Sequence, residues 1–273
     1  MNVNVNIISK NENMENIKIS AVIITLNEEK NIQKCMDSLK DVADEIVVVD
    51  SFSTDKTEEI CKNYHSVKFL QHKFEGYGQQ KNWGNKQCAY DYILSLDADE
   101  SLSEELKNAI LKIKENWQYD VYSVNRLTCF MGRKLTHCLY PDRQLRLFDR
   151  RKTQWNENRV HEKIILTKDI TRKHINHDIL HFANQNIDAL MDTLNKYSTL
   201  KAQHSFDAGK KPSIAKMIFS PIWAFIRTYI LKMGFLDGVS GFVTCVNMAH
   251  YRFLKYAKLI ELHKTNKESS PLK

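Results

Sequence analysis

Residues Ile93–Ser101 read ILSLDADES: four mostly apolar positions run into two aspartates and a glutamate within four residues. The apolar half has the length and composition of a buried strand. The acidic half brings like charges together, which costs energy unless a cation or bulk water intervenes. If the extended form persists to Asp99, Asp97 and Asp99 share one face and Ala98 turns inward. Two carboxylates so placed suit a hard divalent cation such as Mg2+ or Mn2+, which keeps several waters and completes its shell with substrate phosphates. The plain alternative is a solvated turn, so the fold around the stretch has to decide.

Working outward, "KISAVIITLNEEKNI" (18–32) holds a run of buried-strand type that breaks at a polar LNEE. "NIQKCMDSLKDVA" (31–43) places Ile32, Cys35, Met36 and Leu39 at helical spacing. "DEIVVVDSFSTDKT" (44–57) is a second strand ending at Asp50, with Thr54 or Asp55 available to cap the helix that follows. "VKFLQH" is a third strand, and "YGQQKNWGNKQC" reads as a loop entering a helix through Ala89. The quoted stretch is then the fourth strand. "SLSEELKNAILKIKENW" follows as a helix, with Ser103 as cap and Glu104 and Glu105 where the helix dipole favours acids. Strands alternating with helices predict a mostly parallel α/β sheet. Such sheets hold ligands beyond the carboxyl ends of their strands. Those ends carry Asn27 and Glu28, Asp50, and Asp97 with Asp99. After residue 120 the pattern changes to a β ribbon ("YDVYSVNRLTCFMGRKL") and two further strand-like pieces ("RQLRLFDRR", "RVHEKIIL"). From Ile187 it reads helical.

The chain has 273 residues, enough for one large domain or one domain with an appendage, and 42% hydrophobic residues supply a core. Six cysteines without a C-x-x-C pair, behind an opening with no signal-peptide pattern, are expected as reduced thiols. The net charge is +7. Between Lys210 and Ile260 eight Lys/Arg face one acid, Asp237, an excess equal to that of the whole chain. A basic tail on a near-neutral body points to an anionic surface. Within it the apolar run Met217–Ile226 is ten residues, short of the roughly 20 a bilayer span needs. Two helices on the membrane surface, with Trp223, Tyr229 and Tyr251 near the headgroups, are therefore expected.

In this order "ISAVIITLNEEKNI", "IVVVDSFSTDKT" and "ILSLDADE" resemble the nucleotide-sugar-binding half of glycosyltransferase family 2. "GYGQQKNWG", "YPDRQLRLF" and "VHEKI" are similar to its lipopolysaccharide-core glucosyltransferase branch, the WaaE/KdtX type. The likeness runs from about Lys18 to the "GFLDGVSGF" stretch (234–242). Phe52 departs from it, standing where the family commonly has glycine.

The resemblance implies a GT-A-type sheet with helices on both faces over residues 18–185. A polar tail (1–17) precedes it. A basic helical extension (186–265) and a short tail (266–273) follow. It implies a UDP-sugar donor held by Thr25, Asn27, Glu28, Asp50, Lys81 and Asp97, with Lys81 meeting the phosphates from a polar loop. Asp97, Asp99 and His181 would hold Mg2+ or Mn2+, whose charge neutralises the departing diphosphate. Family members invert the anomeric carbon in one displacement, which needs one base: Glu162, with Asp142 as runner-up. His161 and His177 are weaker candidates as ligands, and Glu100 suits a helix cap. The acceptor implied is a lipid-linked saccharide, a heptose of a lipopolysaccharide inner core, with glucose transferred at the cytoplasmic membrane face and no nucleic acid involved.

Rival readings are a nucleotidyltransferase and a non-enzymatic adaptor. The first wants a Gly-rich basic loop where this chain has "LNEEKNI", and the second leaves the strand-end carboxylates unexplained. A haloacid-dehalogenase phosphatase needs its aspartate pair after the first strand, not the fourth.

Overall fold

The computed structural model describes residues 16–157, 162–182 and 186–268. Residues 1–15 of the polar tail expected over 1–17, His161, and residues 269–273 of the closing tail lie outside them. By compactness the chain divides into two units. One comprises Met1–Ala98, Leu102–Ser123 and Leu145–His177; the other comprises Asp99–Ser101, Val124–Gln144 and Asp178–Lys273.

The first unit begins with three strands, β1 (Ile19–Thr25), β2 (Glu45–Asp50) and β3 (Val67–Gln71). The short helices α1 (Ile32–Asp37) and α2 (Thr57–Lys62) alternate with them. After β3 come α3 (Tyr77–Lys86) and β4 (Tyr92–Asp97). Every residue of β1 is buried, which is why its sequence is mainly apolar and does not alternate. β1 pairs parallel with β2 on one side and β4 on the other. The register sets Thr25 opposite Asp50 and Ile24 opposite Asp97, so three strand ends finish at one level. α3 corrects an expectation: the segment read as a loop is a ten-residue helix. Gly84 lets it press on the sheet, since a Cβ there would fall 2.7 Å from Val22 Cγ1 and 2.9 Å from Val49 Cγ2.

β4 ends at Asp97, and Ala98 and Asp99 form a turn before the short β5 (Glu100–Leu102). The extended form assumed for the two aspartates therefore stops at the first. Ser103 caps α4 (Glu104–Glu115) by accepting from Leu106 N–H, as expected. β6 (Val121–Phe130) turns at Met131 and Gly132, both at positive φ, and pairs antiparallel with β7 (Arg133–Lys134), the expected ribbon. β8 (Asp142–Asp149) pairs antiparallel with β4. Of the expected strand "RVHEKIIL", residues 159–161 lie outside the described residues, and the described part, 162–166, forms no strand: Ile164 makes an isolated bridge to Trp155. β9 (Arg172–His181) is a strand that pattern reading overlooks. The strand order is β3-β2-β1-β4-β8-β6-β9-β5, with β7 on β6. This is a GT-A-type sheet, parallel through β4 and mixed beyond it.

The second unit is completed by helices α5 (Ile187–Asp207), α6 (Ile214–Phe225) and α7 (Gly238–Glu268). α6 carries Pro221 within it and continues as a π-helical turn, Ile226–Leu231. The helical stretch is thus longer than the ten-residue apolar run. Ile214–Leu231 is, by length and composition, long and apolar enough to cross a membrane, and little of it is buried. A small core of Phe130, Leu135, Cys138 and Cys245, backed by Leu190, Phe225 and Tyr229, holds the unit together. Beside it Asp237, 1% exposed, accepts backbone N–H bonds from Thr136 (3.0 Å), His137 (3.1 Å) and Cys138 (2.9 Å).

Candidate active site

In the first unit the ends of β1 and β2 are laced into one surface. Asn27 takes a left-handed conformation (φ 55°). This aims its backbone N–H at Ser53 Oγ (2.8 Å), and its side-chain Oδ1 accepts from Thr54 N–H (2.8 Å). Glu28 N–H bonds Thr57 Oγ1 (2.8 Å), and Glu29 N–H bonds Asp55 Oδ2 (3.0 Å). Asp55 also accepts from Thr57 N–H at 3.0 Å, but the cap position of α2 falls on Lys56, which makes no side-chain cap bond, one residue past the Thr54 or Asp55 expected. Asp50 is fully buried and holds the turn after β2 by accepting from Ser53 N–H (2.9 Å) and Ser53 Oγ–H. Gln71 Nε2 reaches it from β3 at 3.3 Å. Thr25 Oγ1 is buried with no hydrogen-bond partner, one position below this surface. Phe52, at the glycine position of the turn, stands at φ 63° with its ring 54% exposed. The turn keeps a glycine-like backbone despite the side chain.

Asp97 closes β4 under two cations. Lys81 Nζ lies 3.0 Å from its Oδ1, and Arg146 Nη2 lies 3.0 Å from its Oδ2. Burial works to raise its pKa, but the fields of Lys81 and Arg146 outweigh it and hold the carboxyl far below the usual range. Lys81 is not the exposed loop lysine that sequence suggested. It sits in α3, 1% exposed, and its ammonium also meets Glu162 Oε1 at 3.0 Å, with the Trp155 ring 4.6 Å away. Asp97, Lys81 and Glu162 therefore form one chain of charge, and two residues 65 positions apart in sequence share a single cation. Of the arginines in "DRQLR", Arg146 is buried and Arg143 exposed, so they do not share a face.

In the second unit Asp99 Oδ2 lies 3.3 Å from His181 Nε2, and both side chains are 17% exposed. Burial lowers the His181 pKa, but its hydrogen bond to Asp99 and the charges of Asp99 and Glu100 raise it more, and the net shift is upward. His181 Nδ1 is buried with no hydrogen-bond partner. A carboxylate and an imidazole offer the oxygen and nitrogen donors a divalent ion accepts, and Mg2+ ordinarily needs few protein ligands. Among the described residues no group of three His, Cys, Asp or Glu gathers to hold a metal, so any ion here draws most of its shell from substrate and water. His177 is exposed.

Asp142 is held by Arg126, with Nε at 2.9 Å and Nη2 at 2.8 Å from Oδ2, and Gln144 Nε2 donates to its other oxygen at 2.8 Å. Arg126 also approaches Glu100, 3.9 Å away and buried. Glu100 is thus a strand residue facing an arginine, not the helix cap expected of it. Arg126 and Trp155 were missed by sequence reading; no motif marks either.

These strand-end loops, carboxylates and buried cations sit on an α/β sheet of GT-A type. The model of the family "Glycosyl transferase family 2" matches residues 20–174. LpsC of Rhizobium meliloti, a lipopolysaccharide core biosynthesis glycosyltransferase, is 34% identical over 254 residues. That match spans 90% of this chain and 93% of LpsC. An uncharacterized glycosyltransferase of Rickettsia typhi is 31% identical over 256 residues, 90% of this chain and 87% of its own. Among solved structures, S. aureus TarS in complex with UDP-GlcNAc is 16% identical with a TM-score of 0.44, covering 92% of each chain. The chain belongs to glycosyl transferase family 2 and is a glycosyltransferase. The nucleotidyltransferase, phosphatase and adaptor readings fall away.

Proposed function

We propose that this glycosyltransferase is metal-dependent and inverting, and moves a sugar, glucose by the branch it resembles, from a UDP-sugar to a lipid-linked saccharide. The acceptor is a heptose of a lipopolysaccharide inner core, reached at the cytoplasmic membrane face. The observation that carries the reading is the pairing of Glu162 with Lys81 and of Lys81 with Asp97, which ties a candidate base to the strand end where the donor is expected.

In this reading Thr25, Asn27, Glu28 and Asp50 form the floor for uracil and ribose. Thr25 Oγ1, buried and unpartnered, supplies a waiting hydrogen-bonding group. Asp97, kept ionised by Lys81 and Arg146, accepts from donor hydroxyls. Lys81 positions Asp97 and Glu162 and leaves the phosphates to other groups. Asp99 and His181 would hold Mg2+ or Mn2+, which when bound neutralises the charge that develops on the leaving diphosphate. Glu162 takes the proton from the acceptor hydroxyl as it attacks the anomeric carbon from the face opposite UDP. Asp142, already held by Arg126 and Gln144, is assigned to donor-sugar positioning and ranks second as base. The basic helices, with Phe219 and Trp223 exposed, lie on the anionic membrane surface.

The test is Glu162→Gln with UDP-glucose and a detergent-solubilised truncated core lipid. Donor binding should persist while transfer falls by at least ~100-fold, the usual scale for losing a general base. Transfer within a factor of two of the parent would move the base role to Asp142.

A further inference from the structure

Lys81 is one of four consecutive polar side chains in α3, Gln79 to Asn82, that span a helical turn and each take a different partner. Gln80, fully buried, donates to Ser51 Oγ and to the His72 carbonyl, both at 3.1 Å. Lys81 meets Asp97 and Glu162. Gln79 Nε2 reaches the Glu157 carbonyl at 3.3 Å. Asn82 makes two bonds to one residue: its Nδ2 donates to the Trp155 carbonyl at 2.8 Å, and its Oδ1 accepts from Trp155 N–H at 3.0 Å. The carboxamide takes both main-chain groups of Trp155, as a neighbouring strand would.

Trp155 leads to the candidate base. It bridges Ile164 between two short arms, 153–157 and 162–165. Asn156 N–H bonds the Lys163 carbonyl at 2.9 Å, and Ile165 N–H bonds the Gln154 carbonyl at 2.8 Å. Glu162 stands two residues before Ile164 on the second arm. Gly78 lies one turn before Asn82 on the same face of α3. A Cβ there would fall 1.8 Å from the Asn156 carbonyl oxygen, so only glycine lets the helix come this close to the first arm. α3 thus holds the first arm by its main chain and the second by charge. The two grips do different work. Lys81 is a point charge on a flexible stem, which attracts a carboxylate without orienting it. The Asn82 carboxamide is planar and doubly bonded to main chain, which fixes a position.

We infer that Asn82 is a positioning residue for the transfer reaction: with Gly78 giving the clearance, it fixes the main chain that carries Glu162 and so sets where the carboxylate meets the acceptor hydroxyl. The inference rests on Glu162 being the base. A misplacement of about 1 Å can cost on the order of 100-fold in rate, so loss of the clamp is read in turnover and not in donor binding. A purely structural clamp would instead lower the folded fraction and leave each folded molecule fully active.

The test uses the full chain with UDP-glucose and the detergent-solubilised truncated core lipid, and calorimetry with UDP counts the folded sites. Asn82→Ala should lower kcat per UDP site at least ~10-fold, with UDP affinity and the KM for UDP-glucose within ~2-fold of the parent. In a Glu162→Gln background the same substitution should cost less than a further ~2-fold, because the group it positions is already disabled. Gly78→Ala, which pushes on the Asn156 carbonyl, should repeat the pattern, and it supplies the readout if Asn82→Ala binds UDP below one per chain. Turnover per site within ~2-fold of the parent overturns the inference. UDP affinity weakened more than ~2-fold also overturns it, since the helix would then act on the donor. So does an equal loss in the Glu162→Gln background, which marks a general structural effect. Parental turnover in Glu162→Gln itself removes the base assignment and the inference with it, whereas an inactive Glu162→Gln beside a fully active Asn82→Ala sinks the inference alone.

Discussion

Replacing Lys81 with methionine keeps the length and shape of the side chain and removes its charge. In the parent, Nζ sits 3.0 Å from Asp97 Oδ1 and 3.0 Å from Glu162 Oε1, and the side chain is 1% exposed. At an effective dielectric of about 20, each such pair is worth roughly 5 kcal/mol gross. The cost of burying the ammonium offsets much of that, and breaking a buried pair typically costs about 3–5 kcal/mol net. Asp97 keeps Arg146 and is 29% exposed, and Glu162 is 19% exposed, so water takes up part of the loss. The expected destabilisation is about 2–3 kcal/mol. For a chain of this size that corresponds to a Tm lower by roughly 4–12 °C. The assay is urea denaturation at neutral pH followed by tryptophan fluorescence, with Trp155 beside the lesion. Lys81→Met combined with Asp97→Asn should show a coupling of at least ~1 kcal/mol. The sign with pH also follows. Asp97 is depressed in the folded state, so its contribution is full above the unfolded carboxyl pKa of about 3.9 and is lost as pH falls below it. Without Lys81 the folded pKa rises, so the acid loss still opens near the unfolded carboxyl pKa but is smaller and is complete at a higher pH. A destabilisation under ~0.5 kcal/mol, or strict additivity in the double variant, would refute the charge chain.

Asp237→Asn should cost about 2 kcal/mol, because it removes a buried charge that accepts three backbone N–H bonds. Burial raises the Asp237 pKa, but the donors at Cys138 and His137 lower it more, so its contribution is full above the unfolded carboxyl pKa of about 3.9 and fades in acid; the gap between parent and variant should narrow steadily as pH falls below that in urea titrations. Phe52→Gly should stabilise by up to about 1 kcal/mol, since the left-handed backbone costs a non-glycine residue roughly 1–2 kcal/mol and glycine's extra unfolded-state freedom returns about half. A loss of stability in thermal melts would mean that the exposed ring makes contacts that matter.

The parallel half of the fold was legible because burial on both faces turns β1, β2 and β4 into mainly apolar runs, β2 and β4 ending in aspartates. The site around Asp97 was not. α3 hides behind two glycines and a buried face made of Gln80, Lys81 and Asn85, and hydrophobic periodicity finds no helix there. That polar face is what carries Lys81 to Asp97, so the feature that disguised the helix is the one that builds the site. β9 escaped because Ile175 and Ile179 are four apart, a spacing shared by helix and strand, while His177, on the same strand face between them, is a polar and exposed residue that breaks the alternation. The turn at Ala98–Asp99 was unreadable from the D-x-D string, which looks the same whether the strand continues or stops. Asp237 did leave a trace, as the single acid in a basic segment, though nothing in sequence says that it binds residues 136–138.

In the function proposed above, Asp99 and His181 recruit a divalent ion to the diphosphate of the donor. Calorimetry of UDP against the parent, Asp99→Ala and His181→Ala, each with and without Mn2+, tests it directly. Mn2+ should tighten UDP binding at least ~10-fold in the parent and by less than ~2-fold in either variant, with metal-free affinity unchanged among the three. The same Mn2+ enhancement in both variants as in the parent would contradict it.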